Sequence, residues 1–197
     1  SKGAGIKECQ KMNKYNTKWS YVDYIQSYAA LGNENYINFQ NACEKLKCPP
    51  TKTATFANLL NGGNLTDKIQ DGTLQFDESL YKYTIRNFNY FSDILEALMH
   101  QGRVNQSFVL ASIILFDHPK YDHKKMIEQC KRYRTSFVQM ARREDQVKEL
   151  QRIYNMRAKN KIYFEDYFRV NNRRGNSEKT QEFNWEKEND VSTLKRA

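Results

Sequence analysis

The stretch "VNQSFVLASIILF" (residues 104–116) limits the folds open to this chain more than any other. It is apolar on nearly every side, and a helix of that kind is stable only when neighbours surround it. It is too short to cross a bilayer, which takes about 20 apolar residues, and no other run in the chain approaches that length. It therefore reads as the central helix of a bundle, and the sequence must supply amphipathic partners to wrap it.

The partners are legible from their caps and stripes. After an opening helix, "GIKECQKMN", Ser20 and Asp23 form a capping box, and Tyr21, Tyr24, Ile25 and Tyr28 follow at helical spacing up to a closing Gly32. Asn33 caps the next helix, which puts Tyr36, Phe39, Cys43 and Leu46 on one face and ends at Pro49–Pro50. Thr51 is placed to cap a short helix, "TKTATFANLL", stopped by Gly62–Gly63. "NLTDKIQDGTLQF" reads as extended arms about an Asp71–Gly72 turn, a small β-hairpin. A long helix runs from Asp77 to about Met99, and Asp122 caps another with Met126, Ile127 and Cys130 inside. A last helix, roughly 142–159, turns Val147, Leu150 and Tyr154 inward and a basic face outward, with "KIYF" (161–164) as a short strand after it. From about residue 171 the chain is polar and aperiodic.

These readings make the protein all-α: one multi-helix domain over residues 1–170, with a small β-hairpin, followed by a polar tail over 171–197. Only 8 Gly and 3 Pro agree with a helical chain, and 13 Tyr with 11 Phe supply a core. The four cysteines lack a CxxC pair, so free thiols and a cytoplasmic location are expected.

Charge is unevenly placed. Residues 120–174 carry sixteen Lys/Arg against seven Asp/Glu, which accounts for the whole net charge of +9. Such a concentration is the footprint of a polyanion partner; the alternative is a solvated helical face. Lys131, Arg132, Arg142, Arg143, Arg152, Arg157 and Lys159 are the candidates for a phosphate-holding surface, with Arg134 and Lys161 in the same basic run. A second candidate is the helix pair within 33–62, which resembles a helix-turn-helix. On its second helix Lys52, Thr53, Thr55 and Asn58 would face outward to reach base edges. The alternative is a plain pair of adjacent bundle helices.

Other chemistry finds little support. "FDHPKYDHK" holds two His and two Asp, but Pro119 breaks it and Asp122 is better used as an N-cap, so no metal site is expected. Phosphate-binding glycine loops, a GxSxG elbow and HExxH are missing from the sequence, and no cofactor or catalytic residue is predicted.

The opening residues carry a resemblance. Gln10, Asn13, Trp19, Asp23, Tyr24 and Tyr28 match the pattern Q-x2-N-x5-W-x3-D-Y-x3-Y, which is similar to the helical region behind the N-terminal domain of phage and plasmid ParB/sulfiredoxin-like (DGQHR-type) proteins. "FDHPKYDHKKMIEQC" and "IYNMRAKNKIYF" also resemble that rear portion. The resemblance implies the helical rear of a longer protein, in which this part commonly contributes DNA binding. No His–Arg dipeptide occurs, so the family's motif is lacking and no catalytic role carries over. The expected function is a non-enzymatic nucleic-acid-binding module with DNA as partner and no membrane. The alternatives are a protein-interaction or oligomerisation module for an acidic partner, and the non-catalytic part of a nuclease or nucleotide-hydrolysing protein.

Overall fold

A computed structural model describes residues 19–59 and 65–164. Among these, eight α-helices follow one another without a strand: α1 (Tyr21–Ala30), α2 (Glu34–Leu46), α3 (Pro50–Phe56), α4 (Leu65–Gln70), α5 (Glu78–Leu98), α6 (Gln106–Phe116), α7 (His123–Tyr133) and α8 (Arg143–Asn155). The all-α class holds. The predicted opening helix and the tail over 171–197 lie outside the described residues.

Helix α6 is the central one, packed by α3, α5 and α8. Phe108, Ala111, Ile113 and Leu115 are wholly or almost wholly buried, and the hydroxyl of Ser112 is satisfied by the Phe108 carbonyl at 2.9 Å. Around it a large cluster joins Phe91 and Ile94 of α5, Met126 and Cys130 of α7, and Val147, Leu150 and Tyr154 of α8. A second cluster is built from α1, α2 and α4, with Ile25, Tyr36, Phe39, Ile69, Leu74 and Phe76. Helix α3 bridges the two, giving Phe56 to the first and Ala54 and Ala57 to the second.

The caps follow the sequence. Ser20 and Asp23 complete a capping box, and the side chains of Asn33, Asp77 and Asp122 accept backbone N–H groups at the starts of α2, α5 and α7. For α3 the sequence points to Thr51, but Pro49 occupies the cap and Pro50 the first turn, where its missing N–H costs nothing.

The hairpin expectation is corrected. Residues 65–70 are helical because Leu65 and Ile69, four apart, both face the core. Gly72 (φ +78°) reverses the chain after α4, and Thr73 N–H donates to the Lys68 carbonyl, as in a glycine-closed helix end. A hairpin turn and a helix exit both call for a left-handed glycine, so Asp-Gly does not separate them. Tyrosine hydroxyls finish the turn: Tyr36 donates to the carbonyls of Lys68 and Ile69, and Tyr28 to that of Gln70. The extended residues that follow pair with side chains instead of a strand. Phe76 N–H donates to Asn35 Oδ1 at 2.7 Å, and Leu74 N–H points to the Tyr36 hydroxyl at 3.4 Å.

Two further extended segments are pinned in the same way, both by α8. Before the helix, Val138 N–H donates to Glu149 Oε1 (3.0 Å) and Met140 N–H to Gln146 Oε1 (2.7 Å). After it, Asn155 and Gln151 hold Ile162 and Phe164. The predicted strand at 161–164 is therefore corrected: its in–out alternation is real, but amide side chains replace the partner strand. The helix itself ends at Asn155 rather than 159, and Arg157 takes a left-handed φ of 55°.

Cys43, Cys48 and Cys130 are free thiols; burial pushes the Cys130 thiol up to about 12. No helix of the described residues is long and apolar enough to cross a membrane.

Candidate nucleic-acid interface

Side-chain amides at the end of α8 hold the segment that carries the basic surface. Asn155 Nδ2 donates to the Ile162 carbonyl at 2.6 Å, and Ile162 N–H returns a bond to Asn155 Oδ1 at 3.0 Å. Phe164 N–H donates to Gln151 Oε1 at 2.5 Å, and the Phe164 ring is fully buried against Tyr154 and His118. With 155, 162 and 164 anchored, the intervening strap carries Arg157, Lys159, Lys161 and Tyr163 outward.

Between this strap and the second half of α8 lies an open groove of 640 Å³. Lys148 and Arg152 form its helical side and Arg157, Lys159 and Lys161 its strap side; Tyr163 completes it, and no Asp or Glu is among the described residues lining it. Five cations line this one concavity; Arg152 is paired with Glu149, and the other four leave the local potential positive. Arg152 is partly committed to structure: it forms a two-pronged contact with Glu149 (2.8 and 2.7 Å) and donates to the Ser136 carbonyl at 2.7 Å. Those Glu149 bonds hold its guanidinium even more firmly protonated than usual.

The seven basic residues singled out from sequence divide into three groups. Arg152, Arg157 and Lys159 meet in the groove. Lys131 and Arg132 are exposed on α7, whose Gln129 donates to the Met156 carbonyl at the groove's edge. Arg132 lies one turn beyond Gln129 on the same face, and so extends the positive field. Arg142 and Arg143 sit at the opposite end of α8, about 18 Å along its axis. Arg142 pairs there with Asp145 at 2.9 Å, which offsets its unfavourable place at a helix N-terminus. Of the seven, the structure brings Arg152, Arg157 and Lys159 together at the C-terminal end of α8 and leaves Arg142 and Arg143 at its other end.

The base-reading face is also corrected. Thr53 is fully buried and Thr55 is 8 % exposed, because α3 is wedged against α2, α5 and α6. The Thr55 hydroxyl donates back to the Thr51 carbonyl at 3.0 Å, and Thr53 lies against Cys43. Asn58 is half-buried at φ 56°, past the end of the helix. Only Lys52 is exposed, and it stands on an element that does not line the groove.

Lys161, part of the same basic run in the sequence, joins the groove as well, and so do Lys148 and Tyr163, which the sequence did not mark as site residues. The signal for Tyr163 was present in "KIYF": alternation that turns Ile162 and Phe164 inward must expose the tyrosine. A buried polar cluster was not legible at all. Arg86 donates to Asp117 (2.6 Å) and to Asn87, Tyr83 donates to the other Asp117 oxygen (2.6 Å), and Asn87 donates to the Phe56 carbonyl. Beside it His123 stacks on Tyr90 at 3.8 Å and contacts Asp93 at 3.0 Å. Every polar group here serves another, and the cluster ties α3, α5, α6 and α7 together.

Four residues of the ParB-like pattern are described, and all four have structural tasks: Asp23 completes the cap of α1, Trp19 and Tyr24 pack on each other at 5.2 Å, and Tyr28 closes α4. Comparison with family models, with curated proteins and with solved structures finds no match for this chain.

Proposed function

We propose that the chain is a non-enzymatic nucleic-acid-binding module, and that the groove beside α8 is where it holds the phosphate backbone. The observation that carries this reading is the convergence of Lys148, Arg152, Arg157, Lys159 and Lys161 on one concavity, with no Asp or Glu among the described residues that line it. Phosphate contacts by such residues release counterions and give sequence-independent affinity. With Thr53 and Thr55 buried, base reading through α3 is no part of the proposal. The resemblance of residues 10–28 to ParB/sulfiredoxin-like proteins supports a setting in a longer mobile-element protein acting on DNA in the cytoplasm.

The test is a fluorescence-anisotropy titration with labelled DNA at several salt concentrations, comparing the chain with a Lys159→Glu/Lys161→Glu variant. The expected result is salt-sensitive binding whose log–log slope falls in the variant by about 0.7–0.9 for each phosphate it no longer neutralises. Equal affinity and slope in the two proteins would remove the groove from the binding surface. Failure of the unmodified chain to bind any nucleic acid at low salt would favour an acidic protein partner instead.

A further inference from the structure

We infer that the groove takes a single strand of nucleic acid, with Tyr163 as a stacking platform for a base; this rests on the nucleic-acid reading above. Tyr163 is 59 % exposed, and among the described residues no hydrogen bond or ring contact engages it. It nevertheless stands on a fixed backbone, because Ile162 is clamped by Asn155 and Phe164 is buried on the other side. The backbone beneath the ring is thus ordered before a base lies on it. Lys161, two residues earlier in the extended segment, emerges on the same side about 6.6 Å away. Cation and ring thus alternate along one edge of the groove, the pairing used by surfaces that track a backbone while stacking its bases.

Shape separates single from double strand. The trough is open along its length, with a volume of 640 Å³. It accommodates a nucleotide or two of an unpaired strand, whereas a duplex has its bases stacked on one another and none to offer Tyr163. The basic elements also present a concavity, not a projecting helix of the kind that enters a major groove. Recognition through Tyr163 would tolerate any sequence, since every base has a π-face.

The experiment titrates the full chain and three variants, Tyr163→Ala, Tyr163→Phe and Lys159→Glu/Lys161→Glu, against a labelled oligothymidine of about 12 nucleotides and a duplex of equal length. Circular dichroism confirms that each variant folds. The expected result is tighter binding of the single strand, a loss of about tenfold or more for that ligand in Tyr163→Ala, restoration in Tyr163→Phe, and little change with duplex. Unchanged single-strand affinity in Tyr163→Ala, or a preference for duplex, overturns the inference. Nucleic-acid binding still abolished in the double-charge variant would leave the broader reading standing, while absence of all binding by the unmodified chain would refute both.

Discussion

Replacing Asn155 by alanine tests whether the strap owes its position to one side chain. The substitution removes two hydrogen bonds at once, from Nδ2 to the Ile162 carbonyl (2.6 Å) and from Ile162 N–H to Oδ1 (3.0 Å). At about 1 kcal/mol net for each bond, the loss is about 2 kcal/mol. Ile162 is only half-buried, so water re-solvates its backbone in part and holds the cost below that of two stranded groups. Asn155→Asp keeps the acceptor but faces the Ile162 carbonyl with a second oxygen, and is expected to cost at least as much as removal of that single bond. Urea unfolding at constant m-value gives the stability change, and hydrogen exchange at the Ile162 amide gives its location. A loss of under about 0.5 kcal/mol in Asn155→Ala, with Ile162 exchange unchanged, would refute the claim that this pair fixes the strap.

Asp117→Ala strands the Arg86 guanidinium, which is 8 % exposed, and is expected to cost about 3–5 kcal/mol in urea unfolding; a cost under about 1 kcal/mol would mean the cluster relaxes around the change. Lys47 and Met99 end α2 and α5 in the left-handed region (φ 50° each), so Lys47→Gly and Met99→Gly are each expected to raise stability by about 0.5–1 kcal/mol; a lower urea midpoint in both would contradict this. Burial lowers His118 and His123 below the ordinary 6.5, and the Asp93 contact offsets this only partly for His123. The unfolded chain then takes up those protons more readily, so stability is complete above 6.5 and declines as pH falls below it. The urea midpoint should drop between about pH 7 and 5 and flatten in His118→Gln/His123→Gln; equal profiles would exclude the histidines as the cause.

Much of the helical frame was legible because caps and stripes are local signals. Ser20–Asp23, Asn33, Asp77 and Asp122 each act within three residues of themselves, and the all-round apolar run at 104–116 could only be central. What escaped was set by distant partners. Thr53 and Thr55 look like surface residues until α2, α5 and α6 close around α3. Arg86 looks like one more surface cation of a long helix until Asp117, 31 positions away, draws it inward. The groove was half visible: the charge concentration pointed to the right part of the chain, but a helix read through to 159 could not reveal that it stops at Asn155 and that Arg157, Lys159 and Lys161 turn back beside Lys148 and Arg152. Tyr163 escapes notice because the same alternation signals a paired strand and an edge pinned by side chains.

The pinning of two extended segments by α8 bears on how the chain reaches its native form. The contacts involved join residues close in sequence: separations of 6 and 11 positions for Met140 and Val138, 16 for Ser136, and 7 and 13 for Ile162 and Phe164. Closing such short loops costs little chain entropy. Residues 136–164 therefore gather around a single nascent helix without waiting for a remote strand to arrive, and topologies made of near-neighbour contacts fold fast. The basic groove, being formed wholly within this stretch, is among the features that the chain can assemble early.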